Sequence, residues 1–168
     1  MSFLKYNTVI RALLLLGIVM LAGLAKGQES RKSELYRTLK TRDSLVFEIG
    51  FNQCNLAPYD SLISEDLEFY HDKGGPSYGK ASFIATTKKN ICNGNFKPKR
   101  ELVDSSVKVF PMYNNGVLYG AIQEGVHLFY IKEVNGWRHT ATAAFAHLWI
   151  IEQGRWQLKR VLSYDHHL

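Results

Sequence analysis

The stretch "TATAAFAHLWII" (140–151), with the following "EQGR" (152–155) and "WQLKRVLSY" (156–164), decides the fold of this chain. Apolar and polar residues alternate on both sides of Gly154, and period-two alternation around a glycine turn is typical of a β-hairpin. A two-residue loop of Gln153 and Gly154 would fix the pairing register of the two strands. The sequence therefore predicts which side chains share a face.

In this register His147 lies opposite Arg160. The same face carries a set of large apolar and aromatic residues: Phe145, Trp149, Trp156, Leu158, Leu162 and Tyr164. An apolar wall with a few convergent polar groups is the usual composition of a small-molecule pocket. We therefore expect this face to line a pocket that binds a small, mostly apolar molecule with a polar end.

A second turn at Asn135 and Gly136 extends the pairing to a third strand and sets Glu124 opposite His147. A row of Glu124, His147 and Arg160 would support acid–base chemistry on a small organic substrate. A buried ion network with no catalytic role is the alternative interpretation. Gly125 adds a complication, because a β-bulge there would shift the pairing of Glu124 by one residue.

The remaining patterns predict three helices followed by a sheet. Helical spacing of apolar residues covers 29–51, 55–63 and 81–90. Four long strands are expected at 101–113, 117–133, 137–151 and 155–164, preceded by a short strand "LEFYH" (67–71) and a loop "DKGGPSYG" (72–79). Helices that precede an antiparallel meander define an α+β arrangement, with three N-terminal helices packed on a strongly curved antiparallel sheet.

This order of elements resembles the nuclear transport factor 2-like cone fold. The resemblance covers residues 35–166 and is carried mainly by "SEDLEFYHDKGGPSYGKASF" (64–83) and the closing hairpin around "GRW" (154–156). In particular, the chain is similar to the branch that holds SnoaL-like polyketide cyclases and many bacterial proteins of unknown function. The resemblance implies a cone-shaped cavity, which such folds use for isomerases, dehydratases, binding modules and dimer interfaces, so fold alone does not fix function.

The mouth of the predicted loop carries a second group of candidate residues. His71 and Asp72 end the short strand, where loop residues on a rigid scaffold often carry function. Tyr70 and Tyr164 each offer a hydroxyl to a ligand, although such tyrosines are also common in protein cores. In SnoaL-like enzymes an aspartate–histidine pair performs acid–base steps, but no motif here maps that pair onto particular residues.

The N-terminal segment predicts export. Lys5 and Arg11 precede the apolar run "ALLLLGIVMLAGLA" (12–25), which has the length of a signal-peptide core. We assign residues 1–27 to a signal peptide and 28–168 to a single domain that is periplasmic or secreted; an uncleaved anchor is the alternative. Cleavage lowers the formal net charge from +6 to +3. No basic stripe with interleaved aromatic residues points to nucleic acid, and no membrane contact is expected after cleavage.

Cys54 and Cys92 are the only cysteines, and an oxidising compartment would allow them to form a disulfide or leave them as two buried thiols. The six histidines show no zinc-ligand spacing, so no metal site is predicted. The chain also lacks a phosphate-binding loop and a dinucleotide fingerprint, and no cofactor is predicted.

Three functions remain open at this point. The first is an exported domain that binds a small molecule. The second is a lyase or isomerase in which His147 or His71 acts as base and Arg160 or Tyr164 stabilises an oxyanion. The third is a homodimeric interaction module, because Leu148, Ile150 and Val161 fall on the outer face of the predicted sheet.

Overall fold

A computed structural model describes residues 27–168, so the predicted signal peptide lies outside the described residues except for Gly27. The described chain is an α+β domain in which three helices pack against one curved sheet. The helices are α1 (Glu34–Ser44), α2 (Tyr59–Leu62) and α3 (Lys80–Thr87). No helix within residues 27–168 is long and apolar enough to cross a membrane.

Both longer helices continue into π-helical segments. The first helix begins where the Ser33 side chain accepts a hydrogen bond from the backbone N–H of Tyr36 at 3.1 Å, and it continues as Leu45–Asn52. The third continues as Lys88–Cys92. A disulfide joins Cys54 and Cys92, with their Cα atoms 5.6 Å apart. The covalent bond therefore fixes the ends of the two π-helical segments to each other.

Seven strands form a single sheet. They are β1 (Ile63–His71), β2 (Gly75–Tyr78), β3 (Pro98–Leu102), β4 (Lys108–Asn114), β5 (Val117–Glu133), β6 (Gly136–Glu152) and β7 (Arg155–His167). The spatial order is β2-β1-β7-β6-β5-β3, and β4 also pairs with β5. The meander of β5, β6 and β7 is antiparallel as predicted, whereas β1 runs parallel to β7.

Two predicted elements differ in the structure. The segment 72–79, predicted to be entirely loop, contains β2, which pairs with β1 as a short edge hairpin. The strand predicted at 101–113 is interrupted by a 3-10 turn at Asp104–Ser106. The pieces on either side, β3 and β4, pair with successive parts of β5, because that strand is 17 residues long and accommodates both.

The predicted pairing of His147 with Arg160 is wrong. Trp149 lies opposite Leu158 as expected, but Arg160 lies opposite Leu148 and Val161 lies opposite His147. The cause is a β-bulge at Lys159, which is one extra residue in β7. Because a shift of one residue moves the following side chains to the other face, the bulge exchanges the faces of residues 160–164.

The exposure of the following residues reflects this exchange. Leu162 and Tyr164, predicted to face the pocket beside His147, are 42% and 44% exposed on the outer face. Val161, predicted on the outer face, is only 3% exposed. Leu148 and Ile150 are half-buried on the outer face, as predicted.

The predicted pairing of Glu124 with His147 is also wrong, because Glu124 lies opposite Ala146 and Gln123 occupies the position opposite His147. The turn places Glu133 opposite Gly136, and a further register shift follows between Phe129 and Tyr130. Gly125 is not a bulge, since it pairs directly with Phe145. A Cβ at Gly125 would lie 2.9 Å from the Phe145 ring, so this position requires the smallest residue.

The core lies between α1 with its π-helical extension and the inner face of the sheet. Leu39 and Val46 on the helical side are fully buried against Trp149 and Leu158 on the sheet. The hydroxyl of Tyr59, also buried, donates to the Val46 carbonyl at 2.9 Å. Burial of these side chains supplies most of the driving force for closing the cone.

Candidate functional site

A chain of polar side chains crosses the inside of the cone, and we call it the polar relay. It runs from α1 to the end of β7 and back to the tip of β1, and its members in order are Asp43, Arg100, His127, Ser163, His166 and Asp72. The relay is the main concentration of polar chemistry that the sequence analysis did not predict.

The inner end of the relay is a buried ion pair. Arg100 on β3 donates to both carboxylate oxygens of Asp43, at 2.7 and 3.2 Å. The guanidinium carbon lies 4.2 Å from the ring centre of Phe47 and 5.3 Å from that of Phe145. Two-point hydrogen bonding and aromatic contact offset the cost of burying these charges.

The direction of each hydrogen bond in the relay follows from Arg100, because a guanidinium can only donate. Its Nε donates to Nδ1 of His127 at 3.2 Å, so that nitrogen carries no proton. Burial, and then the Arg100 charge, hold the pKa of His127 at about 2, so the ring is neutral with its proton on Nε2. That N–H donates to the Ser163 hydroxyl oxygen at 3.4 Å, which leaves the hydroxyl proton for Nε2 of His166, 3.5 Å away.

The outer end of the relay is an aspartate–histidine pair. Nδ1 of His166 lies 2.5 Å from Oδ1 of Asp72, and the backbone N–H of His166 donates to Oδ2 at 3.1 Å. Hydrogen bonds from the His166 backbone and ring lower the pKa of Asp72, so the carboxylate is ionised at neutral pH. An ionised carboxylate on Nδ1 holds the imidazole in the tautomer whose Nε2 can accept a proton.

A strained residue places His166 in this pair. Asp165 has φ 59, in the left-handed region that non-glycine residues rarely adopt. It lies in a second bulge of β7, between the pairs Ala144–Tyr164 and Thr142–His167. Without the extra residue, strict alternation would turn His166 away from Ser163. Local backbone strain of this kind is concentrated at functional sites.

His71 packs on the outer end of the relay and anchors the turn between β1 and β2. Its ring stacks on that of His166 with centres 4.4 Å apart and planes 16° apart. Its Nδ1 accepts hydrogen bonds from the backbone N–H groups of Lys73 and Gly74, both at 3.1 Å. Burial, and then the charge of His166, lower the pKa of His71, although the nearby Asp72 carboxylate opposes this effect.

His71, Asp72 and His166 each bring one potential metal-ligand atom within 4.8 Å of the others. Two imidazoles and a carboxylate are a known ligand set for transition metals. However, Nδ1 of His71 already accepts two backbone hydrogen bonds. The rings of His71 and His166 are stacked and nearly parallel, so the lone pairs of their nitrogens lie in two separate planes and do not converge on one ion. We therefore assign these groups to the relay and the turn.

His147 is buried in a packed interior. Its ring is stacked 5.3 Å from Phe47 and lies 4.3 Å from Phe145, and burial followed by the Arg100 charge keeps its pKa well below the usual value. Within residues 27–168, neither His147 ring nitrogen nor Nε2 of Gln123 has a hydrogen-bond partner. Asp43 Oδ1 is 3.7 Å from His147 Nδ1, beyond hydrogen-bond distance.

The wall predicted to line the pocket is therefore core. Phe145 and Trp149 have no exposed surface and His147 almost none, whereas a cavity that admitted even one water molecule against them would expose part of each side chain. Trp149 donates its indole N–H to Oε1 of Gln123 at 2.8 Å. Trp156 is half-buried and packs against the edge of the same core.

An open cavity of about 280 Å³ lies where β1 and β7 meet the β1–β2 turn, and we call it the rim pocket. Its lining residues are Tyr70, His71, Asp72, Gly75, Pro76, Leu162, Ser163 and Tyr164. Four of the residues predicted for the site, Tyr70, His71, Asp72 and Tyr164, therefore meet in one place. The lining surface is almost entirely apolar, and its polar residues besides the two tyrosines are His71, Asp72 and Ser163.

The other predicted residues lie elsewhere. Arg160 forms an ion pair with Glu68 at 2.9 Å. Glu124 pairs with Lys108 across the sheet. The sequence analysis missed His127 because the predicted register put Glu124 on the inner face, and strand alternation then placed His127 on the outer face.

Comparison with solved structures identifies the fold. A nuclear transport factor 2-like superfamily protein from Salmonella enterica is similar over 75% of this chain and 92% of its own, at 14% identity and a TM-score of 0.54. A protein from Catenulispora acidiphila, solved in complex with S-DNPA, matches over 77% of this chain and 92% of its own, at 10% identity and a TM-score of 0.61. The association domain of CaMKII from C. elegans matches over 81% and 100%, at 14% identity and a TM-score of 0.60.

No protein-family model and no curated protein sequence matches the chain. The structural similarities show that it has the nuclear transport factor 2-like cone fold, as the sequence resemblance implied. At sequence identities this low, the comparison shows the fold but not the function.

Proposed function

We propose that this protein is an exported domain that binds a small molecule in the rim pocket. The observation that carries the proposal is the meeting of exposed apolar surface with a histidine and an ionised carboxylate. Tyr70, Leu162 and Tyr164 supply the apolar surface, and Asp72 supplies a polar anchor. The expected ligand is a small, mostly apolar molecule whose polar end donates a hydrogen bond to Asp72.

Two further observations support this proposal. The volume of about 280 Å³ lies near the lower end of the range for small-molecule sites, roughly 300 to 1,000 Å³. The Catenulispora acidiphila protein of the same fold was solved in complex with S-DNPA. Export is supported by the N-terminal pattern and by the Cys54–Cys92 disulfide, because disulfides persist in oxidising compartments.

Binding can be tested on the secreted protein recovered from its own host, after N-terminal sequencing of the mature chain. Native mass spectrometry would detect a co-purifying molecule, and an NMR fragment screen would supply ligands if none co-purifies. Tyr164→Ala should weaken binding at least tenfold. Tyr119→Ala is the matched control, because Tyr119 is 43% exposed and lies outside the rim pocket. Equal affinity for both variants would overturn the proposal.

A second candidate function is acid–base catalysis of the lyase or isomerase type. The observation that favours it is the 2.5 Å contact between Asp72 and His166. The Ser163 hydroxyl, which lines the rim pocket, would take a proton from a carbon next to a substrate carbonyl as it passes its own proton to Nε2 of His166, and Asp72 would stabilise the imidazolium that forms. This assignment replaces His147 as base, because His147 is enclosed in the core.

Proton abstraction can be followed directly. A carbonyl ligand found in the screen should exchange its α-hydrogens for deuterium in D₂O when the protein is present. His166→Gln should abolish this exchange. His167→Gln is the control and should preserve it, because the His167 side chain is exposed and is not part of the polar relay. Exchange that survives in His166→Gln would eliminate this mechanism.

The outer face of the sheet also suits a homodimer. Leu162, Tyr164 and Tyr78 are exposed there, and the CaMKII association domain shows that proteins of this fold assemble. The rim pocket borders this face, so a partner copy would cover part of it. Sedimentation equilibrium would measure the assembly, and Tyr78→Glu should shift it toward monomer. A monomer at all accessible concentrations would exclude this arrangement.

A further inference from the structure

We infer that His71 is a proton-operated latch that holds the β1–β2 turn closed over the rim pocket. Its effect on ligands rests on the proposed function. The opening of the turn itself does not, and it can be measured without any ligand.

The latch is a single nitrogen that accepts two backbone hydrogen bonds. Nδ1 of His71 receives the N–H groups of Lys73 and Gly74, each at 3.1 Å. Only the neutral ring with its proton on Nε2 can do so. A second proton would have to enter at Nδ1, where it would face two N–H donors. Protonation therefore removes both hydrogen bonds and leaves three donors in contact.

The groups around His71 set the pH at which this occurs. On its own hairpin, Asp72 lies 3.4 Å from Nδ1 and favours the proton, whereas Lys73 opposes it. On β7, the stacked His166 ring disfavours a proton on His71, and His127 on β5 interacts electrostatically with His71 as well. Asp72 is already engaged by His166 at 2.5 Å. Because burial is the largest effect, His71 stays neutral at pH 7 and takes up its proton under acidic conditions.

Asp72 at the start of the turn is held to β7 by His166 and by its backbone N–H, which donates to the Ser163 carbonyl at 3.1 Å, so His71 holds mainly the part of the turn that follows Asp72. The strand that follows it, β2, has only four residues and lies at the edge of the sheet, where it pairs with β1 alone. Local opening in proteins occurs first in such segments. Gly75 and Pro76, which follow the turn as the first residues of β2, line the rim pocket. Release of the turn therefore removes one wall of the pocket and lowers affinity for its ligand.

Amide hydrogen exchange by NMR tests the latch on the mature protein. After correction for intrinsic exchange rates, protection of the Lys73 and Gly74 amides should fall at least tenfold between pH 7.5 and pH 5. The ¹⁵N shift of His71 Nδ1 should titrate over the same interval. Protection that does not change with pH, or a shift that titrates over a different interval, would overturn the inference.

A conservative variant separates the effect of His71 protonation from the effect of its hydrogen bonds. In His71→Asn the side-chain oxygen can accept N–H groups two and three residues later and has no titratable proton. Protection at Lys73 and Gly74 should then be independent of pH. His139→Asn, a histidine on β6 away from the turn, should keep the wild-type pH dependence. Retained pH dependence in His71→Asn would place the switch elsewhere, and loss of ligand binding alone would bear only on the proposed function.

Discussion

At the scale of single residues, the interior of the cone contains two kinds of buried polar group. Asp43 and Arg100 satisfy each other with two hydrogen bonds. The two ring nitrogens of His147 and the amide nitrogen of Gln123 have no hydrogen-bond partner among the described residues. Because a buried polar group without a partner loses its hydration and gains no hydrogen bond, these two pairs should respond to substitution in opposite ways.

His147→Leu should therefore be well tolerated. The substitution removes two unpaired ring nitrogens and nearly conserves volume, so the free energy of unfolding should change by less than about 1 kcal/mol or should rise. Arg100→Met is the contrasting variant, because it leaves the Asp43 carboxylate buried without a partner and should cost about 3 to 5 kcal/mol. Urea titrations of both variants check this. A cost for His147→Leu as large as that for Arg100→Met would mean that His147 makes a hydrogen bond in solution.

Asp165 gives a second residue-scale prediction, because its backbone is in the left-handed region. Asp165→Gly should keep or slightly raise stability, since glycine adopts this conformation without strain. Asp165→Val should cost about 1 to 3 kcal/mol. It should also shift the proton resonance of His166 Nδ1, which reports the contact with Asp72. Equal stability of the two variants would show that the bulge relaxes in solution.

At the scale of elements, the disulfide connects two π-helical segments that differ in what they touch. The segment Leu45–Asn52 carries Phe47 against His147, whereas Lys88–Cys92 follows α3 at the surface. The bridge spans a sequence separation of 38 residues. It therefore restricts the unfolded chain over the whole region that contains α2, β1, β2 and α3.

Removal of this bridge should lower stability substantially. For a loop of this length the chain-entropy model gives a loss of about 4 kcal/mol in the free energy of unfolding. Urea titrations of the wild type and of the Cys54→Ser, Cys92→Ser double variant measure the difference. A matched pair of serine substitutions at Ser61→Ala and Ser77→Ala controls for surface changes. Identical midpoints for bridged and unbridged protein would contradict the expectation.

The elements also show what the sequence could and could not predict. The helices could be predicted from the helical spacing of apolar residues. The 117–133 strand and the closing hairpin could be predicted from alternation and glycine turns. The bulges at Lys159 and Asp165 were not, because a bulge adds one residue and leaves composition unchanged. One such residue was enough to move Arg160 away from His147.

The aspartate–histidine pair could not be predicted for a different reason. Asp72 and His166 are 94 residues apart in sequence. They meet only because β1 adds to the sheet in parallel beside β7. Spacing within a single strand or helix contains no information about such a contact. Tyr70, His71 and Asp72 were found because strand-end residues beside a glycine-rich segment are good candidates in any scaffold.

At the scale of the whole molecule, stability should fall as the pH is lowered. His127 and His147 have pKa values depressed by burial, so the folded state keeps them neutral while the unfolded chain binds protons below about pH 6.5. The unfolded state then binds more protons, and each histidine removes about 1.4 kcal/mol per pH unit below that point. The stabilisation is complete above pH 7 and is lost on the acid side.

Urea midpoints between pH 7.5 and pH 4.5 measure this slope. His147→Leu should reduce the slope by the contribution of one histidine. A stability profile that is flat between pH 7 and pH 5 would show that these two rings open to solvent and take up protons in the folded protein.

The position of the last strand also determines when the domain can form. Because β7 lies between β1 and β6, the early and late parts of the chain have no shared sheet until residues 155–167 are present. A chain that lacks β7 would leave the β1 edge of its first hairpin unpaired. The sheet can therefore be completed only after the 13 residues of β7 have joined the chain, and the pairing of β7 with β1 and β6 is the step that links the two parts of the domain.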